Sequence, residues 1–337
     1  MDLISITNNW PKNVFNIDIN LGNYCNYKCW YCFPGANEGT HKFPNAELLI
    51  KNLEHLINYY KTETDKTVFD IHFSGGEVTH WKEFSNVLHH LKSKFNCLLS
   101  LTSNGSKKIS WWEENSKYFD RIHMSYHHQF ADITHFRNLC DLLYEKKVVV
   151  SASVMMDPFA WDKCIDAVNY LKQSKHRWTI RYVEIYDSRV EYTEEQKKLL
   201  KQHRARSVNL WFFFRNNKYF RSRVTGIDTV GKKHFFEDHE IIFNRINNFF
   251  GWKCSAGVNW INISKSGDIS ATCGQMLYNK NIVYNLYDPE FTKKFYPRIS
   301  STICSKLSCM CLMESVMPKE KIQNKKTINI IEIKNES

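Results

Sequence analysis

The stretch from residue 24 to residue 33 reads Tyr24-Cys25-Asn26-Tyr27-Lys28-Cys29-Trp30-Tyr31-Cys32-Phe33. Its cysteines are separated by three residues and then by two. Thiolates at this spacing can hold three corners of a four-iron cluster, whereas iron–sulfur clusters are normally held by four cysteines. The pattern therefore predicts a cluster in which one iron has no protein ligand and is open to another molecule.

Two other interpretations of these cysteines stay open. Cys29 and Cys32 alone have the CxxC spacing of a thioredoxin-like redox pair, but that pair is not expected to have a third cysteine upstream. A zinc site would need a fourth ligand nearby, and the nearest histidine is His41. The choice among these interpretations depends on a second motif, described below.

The composition predicts a protein with a sizeable buried core. Of the 337 residues, 43% are hydrophobic and 15% are aromatic, which suits one large domain or two to three smaller ones. No apolar run reaches about 18 residues, so no transmembrane helix or membrane partner is expected. The N-terminus does not resemble a signal peptide. Eleven cysteines in such a chain predict a reducing, cytoplasmic location in which thiols bind metal or stay free.

The formal charge of +11 raises the question of a nucleic-acid partner. Many of the cations lie in residues 191–253 and in the C-terminal tail. No recognised RNA-binding or DNA-binding motif accompanies them, and an acidic peptide or a phosphorylated substrate would suit the charge equally well.

Short β-rich runs alternate with amphipathic helical stretches between residues 14 and 186. The predicted strands are Val14–Leu21, Val68–Phe73, Cys97–Thr102, Arg121–Tyr126, Val148–Met156 and Trp178–Tyr186. Six strand–helix units predict an α/β fold with a parallel sheet. A complete eight-unit barrel needs about 250 residues, so a partial (β/α)6 barrel over residues 1–186 is expected. In such arrays the reactive groups lie at the C-terminal ends of the strands, and the cysteine run follows the first strand.

The remainder of the chain predicts three further regions. Residues 187–250 are expected to form a basic connector that covers the open side of the barrel. Its predicted elements are a helix at Glu194–Arg206, a hairpin-like pair at Leu210–Phe214 and Tyr219–Val224, and a helix at Glu237–Phe250. Residues 251–315 predict a small cysteine-bearing module, and residues 316–337 a polar basic tail in which Thr327–Ile333 would add a strand.

A second motif, Ser74-Gly75-Gly76-Glu77, follows the second predicted strand. Two glycines let the backbone approach a ligand closely, and a carboxylate can accept hydrogen bonds from an ammonium group. Gly-Gly turns after strands are common, so the motif alone is a weak indication of a binding site. Its position one strand–helix unit after the cysteines makes that interpretation more specific.

Together, the CxxxCxxC run and the GGE element resemble the radical S-adenosylmethionine (AdoMet) family. The resemblance implies that the amino and carboxylate groups of AdoMet chelate the open iron of a 4Fe–4S cluster. It implies that an electron from a flavodoxin- or ferredoxin-type reductant then cleaves AdoMet to a 5′-deoxyadenosyl radical, which abstracts a substrate hydrogen. The family often has proline after the glutamate, where this chain has Val78.

The cofactor contacts that the resemblance implies come from Tyr31, Gly75, Gly76, Glu77, Asn104 and Ser125. Tyr31 would lie near the adenine, and the GGE loop would contact the AdoMet amino group. Asn104 and Ser125 follow or end strands where the family has polar AdoMet contacts, although turn formation and capping are alternative roles. Arg181 and Glu184 are candidate substrate contacts because we expect them to share one face of the sixth strand, and buried charges need a partner or a ligand.

A second cysteine set comprises Cys254, Cys273, Cys304, Cys309 and Cys311. Cys254 and Cys273 flank a predicted hairpin, which resembles the start of the SPASM or shorter twitch module found in radical AdoMet enzymes. The resemblance implies one auxiliary 4Fe–4S cluster held by four of the five cysteines. The spacing from Cys304 onward differs from the usual module, so the cysteine that is not a ligand stays open. A structural zinc site is the alternative.

The sequence thus predicts a radical AdoMet enzyme that modifies a peptide or protein. Oxidation of a carbohydrate-like small molecule is the alternative reaction, and tRNA modification is a third. A non-catalytic iron–sulfur or zinc protein that binds nucleic acid is the alternative from another class.

Overall fold

The chain is described by a computed structural model over residues 2–8, 11–185, 187–203, 223–272, 275–276, 283–297, 299–305, 307–309 and 317–322. It divides into two compact units. The cysteine-loop unit comprises Pro11–Tyr219 and Gly257–Ile299, and the terminal unit comprises Met1–Trp10, Phe220–Ala256 and Ser300–Ser337. This division differs from the predicted boundaries, because the first residues of the chain belong to the terminal unit.

The strands are β1 (Leu3–Asn8), β2 (Val14–Asn20), β3 (Val68–Ser74), β4 (Cys97–Ser103), β5 (Arg121–Tyr126), β6 (Val149–Met156), β7 (Thr179–Glu184), β8 (Arg223–Asp228), β9 (Lys233–Glu237), β10 (Lys253–Cys254), β11 (Trp260–Ile263), β12 (Asp268–Thr272), β13 (Gln275–Met276), β14 (Tyr284–Asn285), β15 (Thr302–Ile303) and β16 (Lys319–Glu320). The α-helices are α1 (Ala46–Glu63), α2 (Phe84–Lys94), α3 (Ile109–Asn115), α4 (Ile133–Glu145), α5 (Trp161–Lys172), α6 (Glu194–His203), α7 (Asp238–Phe243) and α8 (Phe291–Lys294).

The cysteine-loop unit is built on one large sheet. Strands β2 to β7 pair in chain order and in parallel, which confirms the six predicted strands and the mixed α/β class. The sequence did not predict β11 in this sheet, where it pairs in parallel with β2 and carries the β12 hairpin with it. The predicted hairpin therefore extends the parallel sheet.

The two faces of the parallel sheet differ in polarity. One face is apolar, as in Phe15, Ile17 and Ile71, and the helices between the strands pack on that side through buried residues such as Leu53 and Leu88. Burial of such side chains stabilises each by about 1.5–3 kcal/mol. Because successive side chains point to opposite faces, the alternate positions form a polar face. The pairing of neighbouring strands places the following residues of the polar face side by side: Asp18, His72, Ser100, Thr102, His123, Ser125, Ser153 and Arg181.

The polar face is buried toward the N-terminal ends of the strands and partly accessible toward their C-terminal ends. Asp70 is 3% exposed and accepts two hydrogen bonds from Arg121 Nη2, at 2.6 and 2.8 Å. His72, one register step further along β3, is only half-buried and bonds Ser100 Oγ and Thr102 Oγ1, at 2.9 and 3.1 Å. A ligand entering from the C-terminal edge would therefore meet hydroxyl and imidazole groups.

The terminal unit contains a second, antiparallel sheet with the order β15-β10-β16-β1-β8-β9. Its core packs Leu3, Ile6, Phe249 and Trp252 together. The sequence missed β1. It also predicted a helix over Glu237–Phe250, whereas the helix α7 ends at Phe243. The predictions for 210–222 and 327–333 lie outside the described residues.

Candidate active site

The loop between β2 and α1 carries Cys25, Cys29 and Cys32, and we call it the cysteine loop. Asn23, which is 1% exposed, closes its base. Its side-chain amide donates to Gly35 O at 2.7 Å and to Thr40 Oγ1 at 2.8 Å, and its Oδ1 accepts from His41 N at 2.6 Å. One buried asparagine thus fixes both ends of the segment that holds the cysteines.

The three thiols lie on one short segment at the C-terminal edge of the parallel sheet. A turn closed by Cys32 N and Cys29 O, 3.1 Å apart, brings the last two together. Burial raises the pKa of all three thiols, and that of Cys29 to about 12, because the neighbouring thiols add their charges to the cost of burial. Thiols held this way need a metal or another cation to become thiolates.

The GGE loop packs directly against the start of the cysteine loop. Gly75 has φ of 102°, and a Cβ there would lie 2.1 Å from Asn20 Oδ1. Gly76 has φ of 48°, and a Cβ there would lie 2.0 Å from Tyr24 O. Both positions require glycine, for conformation and for space. In the structure, Gly75 and Gly76 lie close to the backbone and side chains of residues 20–24.

Glu77 is fully buried and bonded within the protein. Its Oε1 accepts from Thr79 Oγ1 at 2.6 Å and Ser103 Oγ at 2.8 Å, and its Oε2 accepts from Asn104 N at 2.6 Å. Burial raises the pKa of this carboxyl, and the donated hydrogen bonds oppose the shift. The carboxylate therefore joins the GGE loop to the end of β4 and has no exposed surface for a ligand.

Asn104 connects that junction to the cysteines. Its Nδ2 lies 3.7 Å from Cys25 Sγ and donates to Asn26 Oδ1 at 3.1 Å. Its Oδ1 accepts from Ser106 N at 2.9 Å, which forms the turn expected after β4. Asn104 thus forms the turn that was considered for it, and its side-chain amide also lies beside a cysteine of the loop.

Tyr31 and His127 form a pair beside Cys29. His127 Nδ1 lies 3.1 Å from Tyr31 Oη and 3.4 Å from Cys29 Sγ, and the two rings stack at 5.8 Å. Burial lowers the pKa of His127 to about 4, so the imidazole is neutral near pH 7. A neutral imidazole can donate to a thiolate at Cys29 from Nδ1 and leave the second nitrogen as an acceptor.

Trp30 anchors the middle of the cysteine loop. Its indole Nε1 donates to Asp157 Oδ2 at 2.9 Å, and the same oxygen lies 3.2 Å from His128 Nε2. Arg189 donates to Trp30 O at 3.0 Å and places its guanidinium 5.0 Å from the indole centre. Asp187 holds Arg189 in place with two hydrogen bonds of 2.7 Å. The loop is therefore attached to the segments that follow β6 and β7.

The remaining candidates from the sequence divide between the two faces of the sheet. Ser125 lies on the polar face beside Ser153, and Arg181 pairs with the same serine. Glu184 pairs with Met156, which is fully buried on the opposite face. The expectation that Arg181 and Glu184 share a face is corrected, because residues three apart in a regular strand point in opposite directions.

The second cysteine set is described only in part. Cys254, Cys304 and Cys309 are buried in the core of the terminal unit. Burial raises the pKa of Cys254 and Cys309, while the ammonium of Lys319, itself 4% exposed, opposes the shift. Cys273 and Cys311 lie outside the described residues.

Four residues that tie the site together were not identified from the sequence: Asn23, His127, Asp157 and Arg189. The only signal for them was that His127 and Asp157 follow predicted strands at the reactive edge. Nothing in the local sequence distinguishes Asn23 or Arg189 from other polar loop residues.

Within the described ranges, no three His, Cys, Asp or Glu side chains converge closely enough to bind a single metal ion. A four-iron cluster makes a different demand, because each thiolate binds its own iron. Three thiols on one loop, with neutral hydrogen-bonding neighbours at Asn104 and His127, fit that demand. In the same ranges no helix has the length and hydropathy of a membrane span.

The sequence model of the Radical SAM superfamily matches residues 19–183. Several solved structures are similar to this chain, and two of them are structures of anSMEcpe. A histidine-tagged anSMEcpe with bound AdoMet matches at TM-score 0.50 and 15% identity, over 83% of this chain and 77% of that one. Native anSMEcpe with bound AdoMet matches at TM-score 0.50 and 15% identity, over 83% of this chain and 81% of that one. No curated protein matches.

The structural likeness concerns the fold alone. The family match covers the cysteine loop together with β3 to β6 and most of β7. Residues 19–183 of this chain are therefore a radical SAM domain.

Proposed function

We propose that this protein is a radical AdoMet enzyme whose cysteine loop holds a 4Fe–4S cluster. The observation that carries the proposal is the position of Cys25, Cys29 and Cys32. They lie on one loop at the C-terminal edge of a parallel sheet, within the segment that matches the radical SAM family. When bound, the cluster and AdoMet supply reductive cleavage of the sulfonium to a 5′-deoxyadenosyl radical that abstracts a substrate hydrogen.

The chain's own residues support the cluster through hydrogen bonds to its ligands. Asn104 Nδ2 and His127 Nδ1 lie 3.7 and 3.4 Å from the sulfurs of Cys25 and Cys29. Such contacts to ligand sulfurs stabilise thiolates and adjust the potential of a cluster. Trp30 holds the loop in place through Asp157, so that the sulfurs stay oriented when the cluster changes charge.

AdoMet would lie over the C-terminal edge of the same sheet. Tyr31 next to Cys32, Ser125 at the end of β5 and the backbone of Gly75 and Gly76 are the proposed contacts. The two similar structures have AdoMet bound, which supports this placement on a shared fold. Glu77 takes the role of a positioning residue, because its oxygens are already bonded to Thr79, Ser103 and Asn104.

We infer that the substrate is a peptide or protein, modified in the cytoplasm. The cations concentrated in residues 191–253 favour an acidic polymer over a neutral small molecule. The accessible polar face, with Arg181, His72 and Ser125, provides donors and acceptors for peptide groups. Oxidation of a carbohydrate-like molecule is the second candidate, because the same hydroxyl and imidazole groups would bind sugar hydroxyls.

The terminal unit is proposed to hold an auxiliary 4Fe–4S cluster. Three buried thiols and the buried ammonium of Lys319 in one apolar core support this, because a nearby cation favours the thiolate form that binds iron. Cys254, Cys304 and Cys309 would be ligands, and either Cys273 or Cys311 would supply the fourth.

The test of the reaction is anaerobic reconstitution with iron and sulfide, followed by dithionite and AdoMet. We expect 5′-deoxyadenosine from the wild type and none from Cys29→Ala. Cys97→Ala is the matched control, because Cys97 is a buried thiol within β4 whose Sγ contacts Leu91 O at 3.4 Å. A protein that carries only zinc and leaves AdoMet intact would overturn the proposal and favour the non-catalytic alternative.

The substrate class is tested separately, with size fractions of a cell extract added to the reconstituted enzyme. A polymer substrate predicts that the high-molecular-weight fraction accelerates 5′-deoxyadenosine formation and that protease treatment removes the effect. Acceleration by the small-molecule fraction would favour the carbohydrate alternative. Acceleration that ribonuclease removes would favour tRNA.

A further inference from the structure

The large sheet of the cysteine-loop unit ends at β7. Among the described strands β7 pairs only with β6, so its other edge has no neighbouring strand in that part of the chain. Tyr182 is the one buried residue of the six in β7, whereas β2 to β6 each bury at least half of their residues. The unpaired N–H and C=O groups of such an edge form a template for a further strand.

The hydrogen bonds of β6 show which backbone groups of β7 point toward that edge. Along a strand, the N–H and C=O groups of successive residues point alternately to the two sides. Val149 N donates to Asp120 O on the β5 side at 3.0 Å, so the odd-numbered residues of β6 face β5 and the even-numbered ones face β7. In a parallel pair each of these even-numbered residues bonds the residues before and after its partner, which are the odd-numbered residues of β7.

Tyr192 extends the same pattern past the end of β7. Its hydroxyl accepts from Ile185 N and donates to Met156 O, at 2.8 Å each, and so bridges an odd-numbered residue to an even-numbered one. The backbone N–H and C=O groups of Ile180 and Tyr182 therefore point away from β6. No hydrogen bond to them on that side is found among the described residues.

The edge of β7 lacks the features that usually protect an edge strand. Natural sheets protect their edges with very short strands, prolines, lysines or bulges. All six residues of β7 pair with β6 in unbroken register, and the stretch Thr179–Glu184 contains neither proline nor lysine. The opposite end of the sheet is the two-residue strand β13, which pairs with β12 through a shift in register. This difference indicates that the edge of β7 is kept available for a partner.

The same edge leads to the proposed active site. Ile185, directly after β7, is 4% exposed and packs against Cys29 and Tyr31 of the cysteine loop. Arg181 of β7 lies on the polar face beside Ser153. A chain bound along β7 would lie about 4.8 Å from it and would direct alternate side chains to the polar face. One end of that chain would therefore lie at the edge of the sheet that carries the thiols.

We propose that the edge of β7 binds an extended segment of the substrate polypeptide as an additional β-strand. The inference rests on the proposed function, since it states how a peptide substrate is held. Hydrogen bonds from the main chain would supply affinity, and the side chains that face the polar face would supply specificity. The register of the added strand along β7 would then select which residue of the peptide lies beside the cysteine loop.

A polypeptide fits this edge better than the other occupants do. The outward groups of Ile180 and Tyr182 recur every second residue, at a spacing of about 6.6 Å, which is the spacing of the groups on another strand. Sugar hydroxyls do not repeat in this way. A second copy of the chain could pair through its own β7, and the experiment below separates that arrangement from binding of a substrate.

The first test is hydrogen exchange of the reconstituted protein, measured by mass spectrometry that resolves single amides. The probe is an acetylated peptide of alternating valine and threonine with a glutamate at each end. It should slow exchange at Ile180 and Tyr182 by about threefold. The same peptide with alternate amides N-methylated keeps its side chains but loses its donors, and it should have no effect. Equal protection by the two peptides, protection outside β7 or no protection would overturn the proposal.

The second test uses two substitutions at one position. Ile180→Pro removes the outward N–H, and proline is tolerated where the N–H of an edge strand faces away from the ladder. Ile180→Ala is the matched control, because it shortens the side chain but keeps the N–H. Ile180→Pro should remove the protection of Tyr182 by the probe. It should also reduce by about tenfold the acceleration of 5′-deoxyadenosine formation by the high-molecular-weight fraction. Ile180→Ala should keep both effects.

Equal effects of the two substitutions would overturn the proposal, because the side chain and not the N–H would then matter. Protection of β7 that grows with protein concentration in the absence of the probe, with a dimer in sedimentation, would assign the edge to a second copy and also overturn it. If Ile180→Pro does not fold, the N-methylated peptide on the wild type still decides. Failure of the proposed function has a different signature, namely no 5′-deoxyadenosine from the wild type with dithionite.

Discussion

The two cysteine-bearing regions of this protein are built in opposite ways. The cysteine loop takes its three thiols from eight consecutive residues, 25–32, and holds them at an accessible sheet edge with bonds from Asn104 and His127. The terminal unit takes its described thiols from Cys254, Cys304 and Cys309 and buries them in an apolar core beside Lys319. Cys25 and Cys32 of the first arrangement are partly exposed, whereas the described thiols of the second are all buried. The thiols of the cysteine loop thus come from one short motif, and those of the terminal unit come from segments that are far apart in the sequence.

The difference between the two regions is tested most directly by removing one thiol from each of them. Wild-type protein should bind about eight iron atoms, four in each cluster. Cys29→Ala should keep about four and lose all 5′-deoxyadenosine formation, whereas Cys254→Ala should keep about four and still cleave AdoMet. Iron analysis and chromatography measure both quantities. A wild type with about four iron atoms would show that the terminal unit holds zinc or no metal.

The support of the cysteine loop by neighbouring loops is tested at Glu77. Glu77→Ala removes the acceptor of four donors, namely Thr79 N, Thr79 Oγ1, Ser103 Oγ and Asn104 N, and each unmet buried donor costs about 1–3 kcal/mol. We expect a loss of about 3 kcal/mol in the free energy of urea unfolding, unchanged iron content and slower AdoMet cleavage. Glu83→Ala, at an exposed glutamate before α2, should change stability by no more than about 0.5 kcal/mol. Loss of iron in Glu77→Ala would mean that the carboxylate holds the cluster loop itself.

The close approach of the GGE loop to the cysteine loop is tested at Gly76. Gly76→Ala combines an unfavourable φ with a clash at Tyr24 O, so we expect it to destabilise by more than about 2 kcal/mol. Gly231→Ala is the matched control, because its φ is 81° and nothing lies within 4 Å of the added Cβ. It should cost about 1 kcal/mol. Equal losses in urea unfolding would show that conformation alone, and not packing, requires glycine at position 76.

The charge in the terminal unit is tested by Lys319→Met. Burial has already raised the pKa of the Cys254 and Cys309 thiols, and the Lys319 ammonium lowers it. Without the ammonium both pKa values rise, so less thiolate is present at any given pH. Alkylation of these cysteines in metal-free protein should therefore shift to higher pH, as mass spectrometry of labelled peptides can follow. Lys321→Met changes an exposed lysine and should leave the pH dependence of alkylation unchanged. An identical effect of the two substitutions would contradict the role of Lys319.

The smallest effect is expected at the anchor of the cysteine loop. Trp30→Phe keeps an aromatic ring but removes the hydrogen bond to Asp157, which is worth about 1 kcal/mol. We expect that loss in urea unfolding, with the iron content unchanged. A loss of iron would show that this anchor is needed to form the cluster and not only to steady the loop.

The sequence by itself determined the parallel sheet and the cysteine loop, because both follow from patterns within short stretches of the chain. Alternating strand and helix periods predict the six parallel strands, and the spacing of Cys25, Cys29 and Cys32 predicts a loop that binds a cluster. The GGE glycines were also found from the sequence. Their contact with Asn20 and Tyr24, however, was not.

The tertiary structure alone decided which residues support the site. His127 lies 98 positions from the cysteine that it touches, and Asp157 lies 127 positions from Trp30. The pairing of β11 with β2 and of β1 with β8 joins segments that are even further apart. Contacts of this kind depend on how strands and loops meet in space, and no periodicity within a short window records them.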